Sequence, residues 1–233
     1  MKKILIQGAM FSEISYYLDQ ECFQDVEEVV INGFPFYRGK VDDKIIIVQL
    51  TKMGTINATM ATMTALYEFQ PDVVINQGTA GAQVRELTSG DIVIGKQAVN
   101  VHSLEMPARG YGEGIEPKEW VKMHTEYINA EEELVQFFER GFRKSDEVGN
   151  VISGTLGTGD LFSKEKDRIL WLRATFGHLS EDMETFAVYQ ACRECGVPCV
   201  GIRVISNNEL LGEPFDSATA LTLQKMIWNV VTA

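Results

Sequence analysis

An alternation along the chain limits its fold more than any other feature. Short apolar runs at 4–7, 44–50, 72–76, 91–99, 151–153 and 198–206 have the length and composition of strands, and helix-spaced segments lie between them. Segment 56–69 has helical spacing and stops before Pro71; 130–142 is acidic and amphipathic, with basic residues at its end. Segments 184–195 and 218–231 read as further helices, the last closing the domain. Strand and helix in alternation define an α/β fold. A chain of 233 residues can bury one complete core, and no internal repeat, low-complexity tract or linker divides it. The longest stretch without periodicity, 103–120, contains Pro107, Gly110, Gly112, Gly114 and Pro117. It reads as a surface loop, of the kind used as a lid or an interface arm.

The formal charge of −12 argues against a nucleic-acid backbone or an anionic membrane surface as the main partner, leaving small molecules and proteins. The amino terminus passes from Met1-Lys2-Lys3 into Ile4-Leu5-Ile6, too short an apolar run for a signal peptide or a membrane span, so the cytoplasm is the expected compartment. Cys192, Cys195 and Cys199 lie close together, but no nearby His and no second CxxC pair completes a tetrahedral set. Buried reduced thiols are the better reading of this cluster, and no metal is expected. His102, His124 and His178 are scattered, so acid–base chemistry must rest mainly on carboxylates.

Candidate chemistry gathers at the ends of the strand-like runs, where open α/β sheets bind ligands. Gly8-Ala9-Met10-Phe11-Ser12-Glu13 turns from a strand into a helix and puts Glu13 in the first turn. Taken alone, Glu13 reads more simply as a carboxylate complementing the helix dipole. Asn76-Gln77-Gly78-Thr79-Ala80-Gly81 reads as a small-residue turn that lets backbone approach a ligand. Gly157-Thr158-Gly159-Asp160-Leu161-Phe162 could set an aromatic face beside a glycine turn, against the plainer reading of a core phenylalanine. Glu181-Asp182-Met183-Glu184 precedes a helix and in isolation reads as an exposed capping cluster. The run Gly201–Ser206 ends at Asn207, a polar side chain delivered by a buried strand.

In this order the segments resemble the nucleoside phosphorylase and nucleosidase superfamily, most closely the 5'-methylthioadenosine/S-adenosylhomocysteine nucleosidases. The matching pieces are GAMFSEI at 8–14, the Gly54 region, PDVVINQGTAGA at 71–82, GDIVIG at 90–95, GTGDLF at 157–162, DMET at 182–185 and GIRVISN at 201–207. The resemblance implies one nucleosidase domain over 1–233, a three-layer αβα sandwich around a central mixed sheet, assembled as a homodimer and needing no cofactor. It implies a purine nucleoside and water as the partners, with adenine released from methylthioadenosine or adenosylhomocysteine in methionine salvage. By the same resemblance Glu13 activates the water, and Arg203 and Thr79 help hold that water and the sugar. Glu184 accepts from the ribose hydroxyls, Met183 packs on the sugar, Phe162 stacks on the base and Ser163 offers backbone hydrogen bonds to the purine edge. Met10, Met53 and Phe215 line the 5' subsite, and Ser206 joins Asn207 beside the base. Phosphorylases of the superfamily place arginines in the amino-terminal glycine loop and before the central Gly-Ser/Thr turn to hold a dianion. Neither 8–12 nor 76–79 contains one, which favours water.

Two segments depart from the nucleosidase pattern. Val101-His102-Ser103-Leu104-Glu105-Met106 replaces the usual Tyr-His-Asp run, so no role carries over to it. Asn207 stands where adenine-specific relatives have a protonated aspartate that gives its proton to N7 of the leaving purine. An amide can copy the hydrogen bonds and cannot transfer the proton, help worth roughly 10²–10⁴-fold. Three readings stay open: a slow or differently assisted adenine nucleosidase, a nucleosidase for 6-oxopurine nucleosides such as inosine or futalosine, and a nucleoside-binding protein without turnover. The adenine nucleosidase is the first choice, because the other matched pieces and the methionine-rich apolar groups suit a thioether substrate.

Overall fold

A computed structural model describes residues 3–114, 119–143 and 149–233. Its strands are β1 (Lys3–Gly8), β2 (Gln24–Ile31), β3 (Phe34–Val41), β4 (Lys44–Leu50), β5 (Val73–Ala82), β6 (Ile92–Asn100), β7 (Leu104–Glu105), β8 (Val121–Lys122), β9 (Tyr127–Asn129), β10 (Val151–Thr158), β11 (Ser180–Asp182) and β12 (Cys199–Asn207). The helices are α1 (Ser15–Leu18), α2 (Thr55–Phe69), α3 (Glu132–Phe142), α4 (Lys166–Phe176), α5 (Thr185–Cys195) and α6 (Thr219–Thr232), with a 3₁₀ turn at Phe11–Glu13.

Period-2 geometry explains the layering. Along β1, Ile4 and Ile6 enter one core and Leu5 the other; along β4, Ile46 and Val48 separate from Ile47 in the same way, as do Val73 and Ile75 from Val74 along β5. Both faces are apolar, so both need helices. α3 and α6 cover the first face through Phe138, Phe142, Ile227 and Trp228, with Tyr17 of α1 beside them. The second is covered by α2 and α5, where Ala58, Ala61 and Ala65 let α2 lie close to the sheet and Val188 and Tyr189 fill the space under α5. Each fully buried Ile, Leu or Phe contributes about 1.5–3 kcal/mol, so the two cores dominate the fold's stability. The expected α/β class and αβα layering are present.

The sheet runs β11-β10-β6-β12-β5-β1-β4-β3-β2, with β9 pairing antiparallel on β6. Strands β12, β5, β1 and β4 are mutually parallel; β6 is antiparallel to β12 and parallel to β10, and β3 and β2 extend the other edge antiparallel. The sheet is therefore mixed. At one end it closes: β11 pairs with β10 and also with the tip of β5, so that β5, β12, β6, β10 and β11 form a ring.

Several elements differ from the sequence reading. Segment 76–81 is not a turn: it continues β5, because β12 and β11 supply ladder partners on both sides. β10 also runs past 153 to Thr158 between β6 and β11. The hairpin β2–β3 turns at Asn32-Gly33, both in the left-handed region (φ +52° and +81°), as a tight two-residue hairpin requires. Helix α4 is capped by Glu165, whose carboxylate accepts from the backbone N–H of Asp167 (3.1 Å) and Arg168 (2.7 Å). Within 103–120, Leu104–Glu105 pairs with Val121–Lys122 as a separate ribbon, and 115–118, including Pro117, lies outside the described residues. Of the cluster, Cys192 and Cys199 are buried while Cys195 is exposed, against the expectation of buried thiols there; Cys22 is exposed as well. No helix among the described residues is long and apolar enough to cross a membrane.

Candidate active site

One cleft collects most of the residues singled out from the sequence, and it lies at the mouth of the strand ring. Its walls include Met10, Glu13, Met53, Thr79, Phe162, Ser163, Met183, Glu184, Ser206, Asn207 and Phe215.

Glu13 arrives from the 3₁₀ turn after β1. Its Oε2 accepts from the backbone N–H of Ala9 (2.9 Å) and Met10 (3.1 Å), and its Oε1 accepts from the N–H (2.8 Å) and hydroxyl (3.0 Å) of Thr79. The carboxylate thus complements the start of its turn, as its position in the sequence implies, and is also clamped across to β5 in the wall of the cleft. Small residues in β5 make room: a Cβ at position 78 would stand 2.8 Å from Glu13 Oε1. Gly78 is needed for close approach, with no left-handed backbone involved.

Glu184 enters from the junction of β11 and α5, and its Oε1 accepts from the backbone N–H of Gly54 (2.9 Å). Burial, together with the neighbouring Asp182 carboxylate, raises its pKa to about 7 despite the opposing pull of Arg203 and the Gly54 N–H. The acidic run 181–184 is not an exposed cap. Glu181, Asp182 and Glu184 are all buried, because β11 is an inner member of the ring. Asp182 does cap α5, accepting from the backbone N–H of Glu184 and Thr185 (2.8 and 2.9 Å), and it also takes the Thr158 hydroxyl (2.9 Å) and Arg203 Nε (3.0 Å). Burial opposes ionisation of Asp182, but Arg203 and the Thr185 and Glu184 donors outweigh it and hold the carboxyl below its usual range.

Arg203 lies under the cleft, outside its lining. It is 1% exposed, and besides Asp182 it donates to Asn76 Oδ1, Thr185 Oγ1 (2.7 Å) and the Ile202 carbonyl (3.3 Å). Its guanidinium ties β12 to β5 and to the start of α5, and so places Glu184.

Ser206 and Asn207 are adjacent in β12, yet both face the cleft. A regular strand would send them to opposite faces; here the register against β5 shifts between Ile205 and Asn207, a bulge that turns the strand end inwards. The Ser206 hydroxyl lies 3.0 Å from Asn207 Oδ1 and 3.2 Å from the Ala80 carbonyl, so the amide oxygen faces a donor while Nδ2 makes no hydrogen bond among the described residues. Phe162 is half-exposed at the mouth, with the Lys164 ammonium 5.3 Å from its ring centre, and is not a core residue. Met53 and Phe215 are similarly exposed on the rim. From the unassigned stretch 101–106, His102 packs behind Gly159, where a Cβ would stand 2.7 Å from its Nε2.

Sequence reasoning missed Glu181 and Gln83 in the lining and Asp182 as the buried partner of Arg203. Only the ring closure reveals them. Among the described residues, no Lys or Arg lines the cleft. Two carboxylates from separate strand ends, an apolar rim and a side-chain amide can stabilise a sugar cation, polarise water and hold a heterocycle.

A strand-ring α/β fold with this cleft defines a class that also appears in sequence: the phosphorylase superfamily profile matches residues 3–227, and the chain belongs to that family. Within it, the chain is 34% identical over 206 residues to the 5'-methylthioadenosine/S-adenosylhomocysteine nucleosidase of Geobacillus sp. (strain WCH70), covering 88% of this chain and 85% of that one. The enzyme of the same name from Bacillus pumilus (strain SAFR-032) is also 34% identical, with 88% and 85% covered. Among solved structures, the Neisseria meningitidis 5'-methylthioadenosine/S-adenosylhomocysteine nucleosidase in complex with methylthio-immucillin-A superposes with a TM-score of 0.83, at 26% identity over 100% of this chain and 99% of that one. The native futalosine hydrolase of Helicobacter pylori strain 26695 gives 0.82 at 27% identity, covering 99% and 98%.

Proposed function

We propose that this chain is an N-glycosyl hydrolase that cleaves 5'-methylthioadenosine and S-adenosylhomocysteine with water, releasing adenine. The observation that carries the reading is the pairing of Glu13 and Glu184 in a cleft whose lining, among the described residues, contains no Lys or Arg. A departing purine leaves an oxocarbenium-like sugar, which carboxylates favour, and a phosphate dianion would need matched cationic donors. In this reading Glu13 polarises the attacking water with Thr79 beside it, and Glu184 accepts from the ribose hydroxyls while Met183 packs on the ring. Arg203 acts by placing Glu184 and Asp182. Phe162 stacks on the base, Ser163, Ser206 and Asn207 meet its edge, and Met10, Met53 and Phe215 receive the thioether. One observation favours a second reading: the free amide Nδ2 of Asn207 suits the O6 acceptor of a 6-oxopurine nucleoside as well as N7 of adenine.

The exposed Met53, Ile56, Met60 and Tyr67 form an apolar surface on and before α2 beside the cleft, and we assign it to a homodimer interface. The four free thiols suit a cytoplasmic enzyme of methionine salvage. Incubation with methylthioadenosine, adenosylhomocysteine, inosine and futalosine, with and without phosphate, tests the activity. Adenine release without phosphate is expected. Hypoxanthine release alone, or a phosphate requirement, would overturn the reading. Sedimentation of the wild type and of Tyr67→Asp tests the dimer.

A further inference from the structure

Behind the cleft, Glu181 is a buried carboxylate for which the reaction gives no role. It lines the cleft, is 8% exposed, and its Oε1 accepts the Ser163 hydroxyl at 3.0 Å. Among the described residues, its buried Oε2 makes no hydrogen bond and neither does His178 Nε2, which stands 3.8 Å away. Leaving a buried carboxylate oxygen unmatched costs free energy, so the remaining contact to Ser163 is held strongly.

We propose that Glu181 is a specificity-setting residue that acts through Ser163: it commits the serine hydrogen, so that Ser163 Oγ meets the base as an acceptor and selects purines presenting an N–H there. The inference rests on the nucleosidase reading for the position of the base. A serine hydroxyl has one hydrogen and two lone pairs, and the contact to Glu181 Oε1 uses the hydrogen. While the hydrogen points at Glu181 Oε1, the cleft side of Oγ offers lone pairs alone. On Asn207 the polarity is opposite, since Oδ1 lies 3.0 Å from the Ser206 hydroxyl and Nδ2, a donor, makes no hydrogen bond among the described residues. A base fits when it carries an acceptor towards Asn207 and an N–H towards Ser163. Adenine satisfies this with N7 and its 6-amino group; a 6-oxopurine satisfies it with O6 and N1–H. An unsubstituted purine ring, with no N–H at position 1 or 6, must face a lone pair or pull the serine hydrogen off Glu181, which strips the buried carboxylate of its Ser163 hydrogen bond. The cleft is thus open to both 6-amino and 6-oxo bases and closed to purines lacking that hydrogen.

Equilibrium binding of adenine, hypoxanthine and unsubstituted purine to the intact protein by calorimetry tests this without relying on turnover. Adenine and hypoxanthine should each bind about tenfold or more tighter than purine, the ratio expected for one lost hydrogen bond in a charge-backed pair. Glu181→Gln, whose amide can donate to Ser163 Oγ and turn the serine hydrogen towards the ligand, should erase or reverse that ratio. Ser163→Ala should erase it independently, which covers a failure of Glu181→Gln to fold. Equal binding of the three bases by wild type, or a ratio preserved in both variants, overturns the proposal. Turnover of methylthioadenosine measured in parallel separates the two claims: turnover without base discrimination sinks this inference alone, and discrimination without turnover sinks the hydrolytic reading alone.

Discussion

Replacing Asn207 by aspartate should accelerate adenine release, and the structure says by how much. The two side chains have the same shape, so the bulged end of β12 need not move, and Ser206 Oγ at 3.0 Å can donate to the carboxyl as it does to the amide. The second oxygen takes the place of Nδ2, which makes no hydrogen bond among the described residues. At 3% exposure, in a cleft that already holds Glu13 and Glu184, an aspartic acid is pushed towards its protonated form by burial and by like charge. It therefore enters the reaction with a proton to give to N7. General-acid assistance of this kind is worth roughly 10²–10⁴-fold, or about 3–5 kcal/mol of barrier at 1.36 kcal/mol per decade. Single-turnover adenine release from methylthioadenosine in phosphate-free buffer is the direct assay. The expected result is a rise of at least about 100-fold for Asn207→Asp, with a new loss of activity at high pH where the acid ionises. A rate within twofold of wild type, with no new pH limb, would refute the argument that proton delivery at this position limits the native enzyme.

Glu13→Gln should lower turnover by roughly 10²–10⁴-fold while methylthioadenosine still binds by calorimetry; retained turnover would remove Glu13 from the reaction. The wild-type kcat/KM should rise with pH through about 7 as Glu184 ionises, and this limb should vanish in Glu184→Gln. Because the folded pKa of Glu184 lies above its unfolded value, its contribution to stability is full below the unfolded pKa of 4.5 and is lost as pH rises through 7, so urea titrations should show Glu184→Gln gaining on wild type across that window. Arg203→Met strands the buried Asp182 carboxylate and should cost about 3–5 kcal/mol, a fall in Tm of roughly 10 °C, whereas a loss of activity without a loss of stability would return Arg203 to the reaction itself.

The interior of the sheet was readable from the chain because its strands bury both faces, and β1, β4, β6 and β12 fall within a residue or so of their apolar runs. The outer hairpin was not. Strand β2 is exposed along nearly its whole length and carries Asp25, Glu27 and Glu28, so no buried face marks it, although Asn32-Gly33 announces its turn. Helix α4 begins Lys-Asp-Arg and reveals itself only through the Glu165 cap. At the site, Glu13, Glu184 and Asn207 drew their roles from the family resemblance of their segments, since position alone left Glu13 and the 181–184 run as helix-start carboxylates. Glu181 and Asp182 drew none, since a short acidic segment before a helix normally faces water, and their burial depends on β11 bridging β10 and β5, a contact between residues 98 or more positions apart on the β5 side. Position 203 was equally opaque in role: an arginine at the end of a strand gives no sign of whether its guanidinium meets a ligand or its own scaffold.

The extra residue in β12 has a further consequence for how such a cleft can change its diet. Because the backbone offset, not the side-chain chemistry, turns positions 206 and 207 inwards, the sheet presents two neighbouring sockets whose contents can be exchanged without rebuilding the wall. A single codon change at 207 can trade an amide for an acid while Arg203, two strand positions below the shift, keeps the floor in place. New purine preferences then lie one mutational step apart on an unchanged frame, whereas deletion of the offset residue would swing Asn207 out of the cleft and cost the whole base-reading edge at once.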